Sequence, residues 1–182
     1  MSRERPSAGV ARPARGPTFS LMFRSPMTLD GKNRTVTVMV GGGVLLGLMA
    51  LLVTGHAVGF GLLVVVALAW AMSPTALVVD GGELRVERRA WRPLRVPMAS
   101  VASASPLAAL GRGTMRVFGV GGFFGSYGLF HNRTLGRFRL YATRAGHSII
   151  VVRTGDALPL VLTPDDVAGA IGAINGRPRL AG

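Results

Sequence analysis

Apolar and polar positions divide the chain into two parts with different periods. The first part is a continuous apolar run from Val36 to Ser73, which contains no Asp, Glu, Lys or Arg. A helix needs roughly 20 apolar residues to cross a bilayer core of about 30 Å, and this run is almost twice as long. Its only polar interruption is Thr54-Gly55-His56. The pattern therefore predicts a two-helix transmembrane hairpin over residues 35–73, with helices at about 35–54 and 57–72.

From Thr75 onward the apolar positions alternate, as is typical of strands. Gly81-Gly82 separates the first two strands as a hairpin signal. The alternation predicts about seven short antiparallel strands, at 76–80, 83–89, 94–98, 115–118, 138–142, 148–153 and 157–162. Residues 99–110, which are rich in Ala and Ser, are expected to form a short helical turn or a loose connection. Residues 119–136 are expected to form a Gly-rich loop.

A helix is predicted to close this part of the chain. Thr163 is the expected N-cap and Pro164 the first helical residue. Val167, Ile171 and Ile174 then fall on one apolar stripe that can face the sheet. Strands followed by one helix indicate a mainly β, α+β domain over residues 74–176, with a short tail at 177–182.

The segment before the hairpin has two parts. Residues 1–17 are rich in Arg, Pro, Ala and Gly, and predict a disordered basic arm. Residues 18–34 are expected to hold a short strand, at 18–24, and a polar juxtamembrane turn. That strand either adds to the edge of the domain's sheet or lies at the membrane interface. In the turn, Lys32 and Arg34 are placed where they can meet lipid phosphates.

Charge supports a membrane topology. The formal net charge is +13, and basic residues dominate on both sides of a neutral hairpin. This distribution matches the positive-inside rule with both termini in the cytoplasm. Anionic lipid headgroups account for the basic charge, so we expect no nucleic-acid partner. Oligomeric state stays open.

Catalytic and metal chemistry find no support in the sequence. The chain has no Cys, and its three histidines, His56, His131 and His147, are scattered. The only close acidic pair, Asp165-Asp166, is expected to complement a helix N-terminus. We therefore expect no enzyme activity, no cofactor and no metal site.

Two groups of residues are candidates for binding, and each has a structural alternative. Arg88, Arg89 and Arg92 could dock on anionic lipid or simply form a solvated strand face. Within the Gly-rich segment, Phe123, Phe124 and Tyr127 could dip into the membrane interface, or fold back as core. Beside them, Arg133, Arg137 and Arg139 could contact headgroups. In the hairpin, Gly43 and Gly47 form a helix-packing pair, expected to join the two helices to each other or, alternatively, to form an oligomerisation face.

The sequence resembles the bacterial pleckstrin-homology-like (PH) domains that follow one or two membrane helices. The resemblance is carried by ALVVDGGELRVERR, MRVFGVGGFFGSYGLF, LGRFRLYAT and the closing IIVVRT and PLVLTPDDVAGAI segments. It covers about residues 75–175 and implies a PH-like barrel, but no ligand. Inositol-phosphate-binding PH domains carry cations around the first hairpin loop. Here that loop, Asp80 to Glu83, is short and acidic, which argues against such a pocket.

Together these observations predict a two-pass protein of the bacterial inner membrane with a cytoplasmic PH-like domain. Its expected role is to present a binding surface to lipid headgroups or to a protein partner. The alternative is an accessory subunit of a membrane transport or envelope assembly, which contacts that assembly through the hairpin.

Overall fold

Two antiparallel helices form a hairpin at the start of the fold. A computed structural model describes residues 22–29, 31–55, 57–108, 110, 113–122, 124–144 and 146–176. Helix α1 spans Gly31–Val53 and α2 spans Ala57–Ala71. Gly55 turns the chain with a φ of +76°, which a glycine adopts without strain. The predicted basic arm, the tail and residues 18–21 of the first predicted strand lie outside the described residues.

The two helices contact each other along one side of α1. Thr37, Gly41, Val44 and Leu48 are the less exposed positions there, and Leu48 is only 2% exposed. Gly43 and Gly47 lie outside this contact, because both are exposed and a Cβ at either position would meet no atom within 4 Å. The expectation that this glycine pair joins the two helices of the hairpin was therefore wrong.

Among the residues that the structure describes, no helix combines the length and the apolar character that crossing a membrane requires.

A four-stranded antiparallel sheet begins before the hairpin and continues after it. Its strand order is β1-β2-β3-β4. These strands are β1 (Phe23–Pro26), β2 (Pro74–Val79), β3 (Glu83–Arg88) and β4 (Leu94–Pro97). Phe23 lies opposite Val79, and Pro26 opposite Ala76. The segment before the hairpin was expected either at the sheet edge or at the membrane interface, and the structure shows it at the sheet edge. Proline is tolerated in such an edge strand, because its missing N–H is not needed for a further strand.

A second sheet has six strands in the order β5-β9-β10-β8-β7-β6. They are β5 (Val101–Leu107), β6 (Met115–Val120), β7 (Ser126–Asn132), β8 (Gly136–Ala142), β9 (Ser148–Arg153) and β10 (Leu160–Leu162). Strand β10 runs parallel to β8, whereas the other pairings are antiparallel.

The core lies between the two sheets and helix α3 (Val167–Asn175), which contacts strands of both. Leu77, Leu84, Ile149 and Leu160 are completely buried there. A smaller cluster around Phe138 fills the other face of the second sheet, where Leu107 at the end of β5 and Leu110 of the β5–β6 connection pack against it. Burial of these apolar surfaces is the main stabilising contribution.

Helix α3 forms as predicted but begins later. Asp166, rather than Thr163, is the N-cap, and its carboxylate accepts the Gly169 N–H at 2.8 Å. Ala170 and Ile174 are buried, so the apolar stripe faces the core. At the other end, the Asn175 amide accepts from the backbone N–H of Ala104 and donates to its carbonyl. This contact covers the β5 edge of the second sheet.

The two sheets hold ten strands, of which nine follow the hairpin, where about seven were predicted. The segment expected to be a helical turn or loose connection forms a single 3-10 turn, Met98–Ser100, and then β5. The expected Gly-rich loop is mostly β6 and β7. Gly119 and Gly128 lie opposite each other in these strands with φ near +133°, where a Cβ would overlap the facing backbone. These glycines therefore allow two strands to approach each other closely, and they do not indicate a mobile loop.

Candidate functional site

The end of α2 is bound to the sheets by a set of hydrogen bonds. The Tyr127 hydroxyl donates to the carbonyl of Ala69, and the Ala90 N–H donates to the carbonyl of Ala71 at 2.9 Å. Ser73 donates to the carbonyl of Trp70 through both its N–H and its hydroxyl. Helix C-termini leave carbonyls without intrahelical hydrogen-bond donors. Here Tyr127 of β7 and Ala90, which follows β3, donate to two of these carbonyls. The hairpin and the sheets thus share one joint.

Tyr127 connects the core to this joint. It is only 4% exposed and contacts the main cluster between the sheets. Burial raises the pKa of its hydroxyl to about 12, and the positive charge of Arg88 opposes part of that rise. The hydroxyl therefore stays protonated and remains a donor at neutral pH. Of the two interpretations of this residue, the structure shows core packing rather than membrane dipping.

Arg88 and Arg89 each stack on an aromatic ring at the joint. The Arg88 guanidinium lies 5.5 Å from the centre of the Tyr141 ring and donates to its hydroxyl at 3.1 Å. The Arg89 guanidinium lies 5.5 Å from the centre of the Trp70 ring. Such contacts fix the direction of a cation and add about 0.5–1 kcal/mol or more. Arg88 faces the domain, whereas Arg89 faces the hairpin.

A cleft of about 360 Å³ opens between the two ends of the hairpin. Arg34 of α1 and Arg89 supply its positive charge, and Thr75 adds a hydroxyl. Leu29 and Phe124 are among its apolar walls. Phe124 adopts a left-handed conformation with a φ of +56°, which costs a bulky residue about 1–3 kcal/mol.

The segment that enters the hairpin is clamped to the domain behind this cleft. Asp165 accepts from the backbone N–H of Thr28 at 3.0 Å and from its hydroxyl at 2.9 Å. Arg144 pairs with the same carboxylate and donates to the Thr28 hydroxyl at 2.6 Å. Asp165 is therefore a structural ion-pair partner rather than only a charge near a helix N-terminus. Nothing in the spacing of residues 28, 144 and 165 indicated this contact.

A second surface lies further along β7 and β8. Cross-strand pairs place six side chains on the face of the sheet that also carries Tyr127. We name this surface the basic face, and it consists of Met115, Phe118, Leu129, His131, Arg137 and Arg139. Phe118 is 79% exposed. Within the described part of the chain, no carboxylate pairs with either arginine.

The predicted candidates therefore separate in space. Arg88, Arg89, Phe124 and Tyr127 lie at the joint or the cleft. The others lie elsewhere: Arg137 and Arg139 are on the basic face, Arg133 is exposed in the β7–β8 turn, Arg92 is exposed after β3, and Phe123 is outside the described residues. Among the residues that are described, no group of three His, Cys, Asp or Glu side chains could hold a metal ion.

Comparison with known protein families shows which family this chain resembles. The profile of the bacterial PH domain family matches residues 75–177, which is more than half of the chain. No curated protein and no solved structure matches the sequence. The matched residues extend from β2 to α3, and so include both sheets except β1, together with the closing helix. This chain therefore belongs to the bacterial PH domain family.

Proposed function

We propose that this protein is a non-enzymatic interaction module, a PH domain held at the inner face of the bacterial plasma membrane by its helical hairpin. The observation that carries the proposal is the apolar surface of the hairpin. Among the side chains that the structure describes in α1 and α2, eleven large apolar ones are exposed, including Leu46 at 74% and Val65 at 60%. Moving partly exposed side chains of this size out of water is worth about 1 kcal/mol each, or on the order of 10 kcal/mol together.

The proposed orientation follows from the antiparallel hairpin. A hairpin returns the chain to the side from which it started, so β1 and β2 can pair as they do only on one side of the membrane. The basic residues of both flanking segments favour the cytoplasmic side. The hydrogen-bonded joint at Tyr127 then holds the domain close to the bilayer rather than on a free linker.

A pair of aspartate substitutions tests the membrane anchor. We expect the full chain to stay in the membrane pellet after alkaline extraction. Leu46→Asp with Val65→Asp should release it, since each aspartate costs about 2.5–3.5 kcal/mol in a bilayer. The matched control is Phe118→Asp, at an equally exposed site on β6, which should remain in the pellet. Release of the unsubstituted chain would refute the anchor.

Cysteine labelling tests the orientation. Because the chain has no Cys, single cysteines at Met22, Thr54 and Thr154 can be labelled one at a time with a membrane-impermeant maleimide. Met22 precedes the hairpin in the sequence, and Thr154 lies in the domain that follows it. Cysteines at both positions should react only after the membrane is permeabilised. Thr54 lies in the turn and should react from outside. Opposite behaviour of Met22 and Thr154 would contradict the proposed topology.

The basic face is the surface that we propose the module offers. It begins two residues beyond Tyr127 along β7 and ends about 14 Å from it. Its exposed guanidinium and apolar groups suit an anionic, partly apolar partner. Hydrogen exchange of β6–β8 amides in nanodiscs distinguishes the partner. Protection in anionic but not in neutral lipid indicates that lipid headgroups bind the basic face. Equal exchange in both lipids indicates that its partner is a protein segment.

One observation favours the second candidate, an accessory subunit of a membrane assembly. Gly43 and Gly47 do not contact α2, and open space surrounds them. A helix of another membrane protein could approach α1 closely there. Co-purification of such a protein, lost in Gly43→Leu with Gly47→Leu and kept when exposed Leu46 is changed to Ala, would support this role.

A further inference from the structure

We propose that the cleft between the two ends of the hairpin binds the phosphate of an anionic phospholipid. The inference rests on the proposed function, because membrane anchoring places the cleft at the boundary between lipid and water. It deepens that function by assigning a ligand class to a site distinct from the basic face. The site is also distant from the acidic Asp80–Glu83 loop, which lies at the other end of β2.

Two guanidinium groups face this cleft without a carboxylate partner among the described residues. Arg34 lies in the first turn of α1, and Arg89 directly follows β3. The Nε of Arg89 approaches the Ser73 hydroxyl at 3.4 Å, and its stacking on Trp70 holds the terminal nitrogens in place. Arginine binds phosphate through paired N–H donors, so two arginines on one cleft favour that anion.

Among the residues that the structure describes, no carboxylate pairs with Arg34 or Arg89. Asp165 contacts the cleft residue Thr28 through two hydrogen bonds but does not itself line the cleft. Arg144 already pairs with that carboxylate. The last carbonyls of α2 are also satisfied, by Tyr127, Ser73 and Ala90. Arg89 is therefore not required to cap the helix, and its charge is available to a ligand.

The walls favour a lipid over a free anion. Leu29 and Phe124 add apolar surface beside the two cations, and the exposed apolar side chains of α1 and α2 continue from the cleft along the hairpin. A phosphodiester can occupy the polar part while its acyl chains follow the helices. A volume of about 360 Å³ falls within the usual range for small-molecule sites. Inorganic phosphate would use only the polar part of this surface.

Trp70 provides a reporter for the test. The chain has two tryptophans, so Trp91→Phe leaves Trp70, in contact with Arg89, as the single source of indole fluorescence. Full-length Trp91→Phe protein in neutral detergent is titrated with short-chain phosphatidylglycerol. We expect a saturable change in emission, and a much weaker one with short-chain phosphatidylcholine, glycerol phosphate or inorganic phosphate.

Arg34→Gln in the same background should weaken phosphatidylglycerol binding at least tenfold, because it removes one of two phosphate contacts. The matched control, Arg137→Gln on the basic face, should change it less than twofold. Arg89→Gln alters the reporter itself, so its effect is measured as lipid retained in native mass spectrometry, where retention should be lost. Circular dichroism of each variant confirms that it is folded.

Three results would overturn the proposal: no saturable signal, equal affinity for inorganic phosphate, or binding that neither Arg34→Gln nor Arg89→Gln weakens. The titration uses micelles, so its outcome does not depend on how the chain behaves in a membrane. A chain that resists alkaline extraction but fails this titration keeps the proposed function and loses the lipid site. A chain that is extracted loses the proposed function, whatever the titration gives.

Discussion

Removing one hydroxyl tests whether the hairpin and the PH domain unfold as a unit. Tyr127→Phe keeps the buried ring but removes the donor to the Ala69 carbonyl. A hydrogen bond of this kind contributes about 1 kcal/mol, and a carbonyl left buried without a partner costs about 1–3 kcal/mol. We therefore expect the free energy of unfolding to fall by about 1–3 kcal/mol at neutral pH.

The raised pKa of the same hydroxyl predicts that the folded state loses stability at alkaline pH. Its pKa is raised to about 12 in the folded protein, against about 10 for an unperturbed tyrosine. Above pH 10 the unfolded chain loses this proton first, so the folded state loses stability as pH rises towards 12. Two pKa units correspond to about 3 kcal/mol. Below pH 10 the hydroxyl is protonated in both states and adds no pH dependence.

The assay is urea unfolding of the full chain in neutral detergent, followed by circular dichroism between pH 8 and pH 12. The unsubstituted protein should lose stability steeply above pH 10, whereas Tyr127→Phe should start lower and decline less. Tyr141→Phe serves as the control, because it keeps the Tyr127 hydroxyl and should keep the alkaline decline. Parallel curves for Tyr127→Phe and the unsubstituted protein would show that this hydroxyl is not held as described.

Three further substitutions test the fold by the same unfolding measurement. Asp165→Asn should cost about 1–3 kcal/mol, because it breaks the half-buried pair with Arg144; a change below 0.5 kcal/mol, a rough surface-site value, would contradict the clamp. Gly119→Ala should destabilise severely or prevent folding, since its Cβ would overlap backbone atoms of β7, whereas Gly82→Ala, with open space around it, should be neutral within about 0.5 kcal/mol. Phe138→Ala should cost about 3–5 kcal/mol, because this side chain is fully buried; a smaller loss would mean that the outer cluster is loosely packed.

Local pattern was sufficient where a continuous run of β-branched residues indicates a strand. The strand at 148–153 has the bounds that its run of Ile and Val predicted. Strand β5 was missed because its Ala and Ser residues carry little apolar signal, and tertiary pairing with β9 determines its conformation. Strand β7 was missed because glycines in the segment indicated a loop, whereas they permit close strand contact.

The candidate site was predictable only in its charges. In the sequence, Arg34 lies with Lys32 before the hairpin, and Arg89 lies with Arg88 and Arg92 after it. That Arg34 and Arg89 line the same cleft was not predicted. The sequence did not show which of the neighbouring arginines would form contacts within the domain. Arg88 contacts Tyr141, which lies 53 residues later in the chain. The clamp of Thr28 on Asp165 spans 137 residues. Contacts at such separations follow from the fold and leave no local pattern.

Under the proposed membrane topology, the pairing of β1 with β2 would also make folding of the domain depend on correct insertion of the hairpin. During synthesis β1 emerges first, and its partner follows only after residues 27–73, which form the hairpin. If only one of the two helices entered the bilayer, β1 and β2 would be left on opposite sides and the first sheet could not close. An edge without its strand would expose backbone groups and core side chains, marking the chain for proteolysis. In the proposed topology, a completed first sheet would therefore mean that β1 and β2 lie on the same side of the membrane.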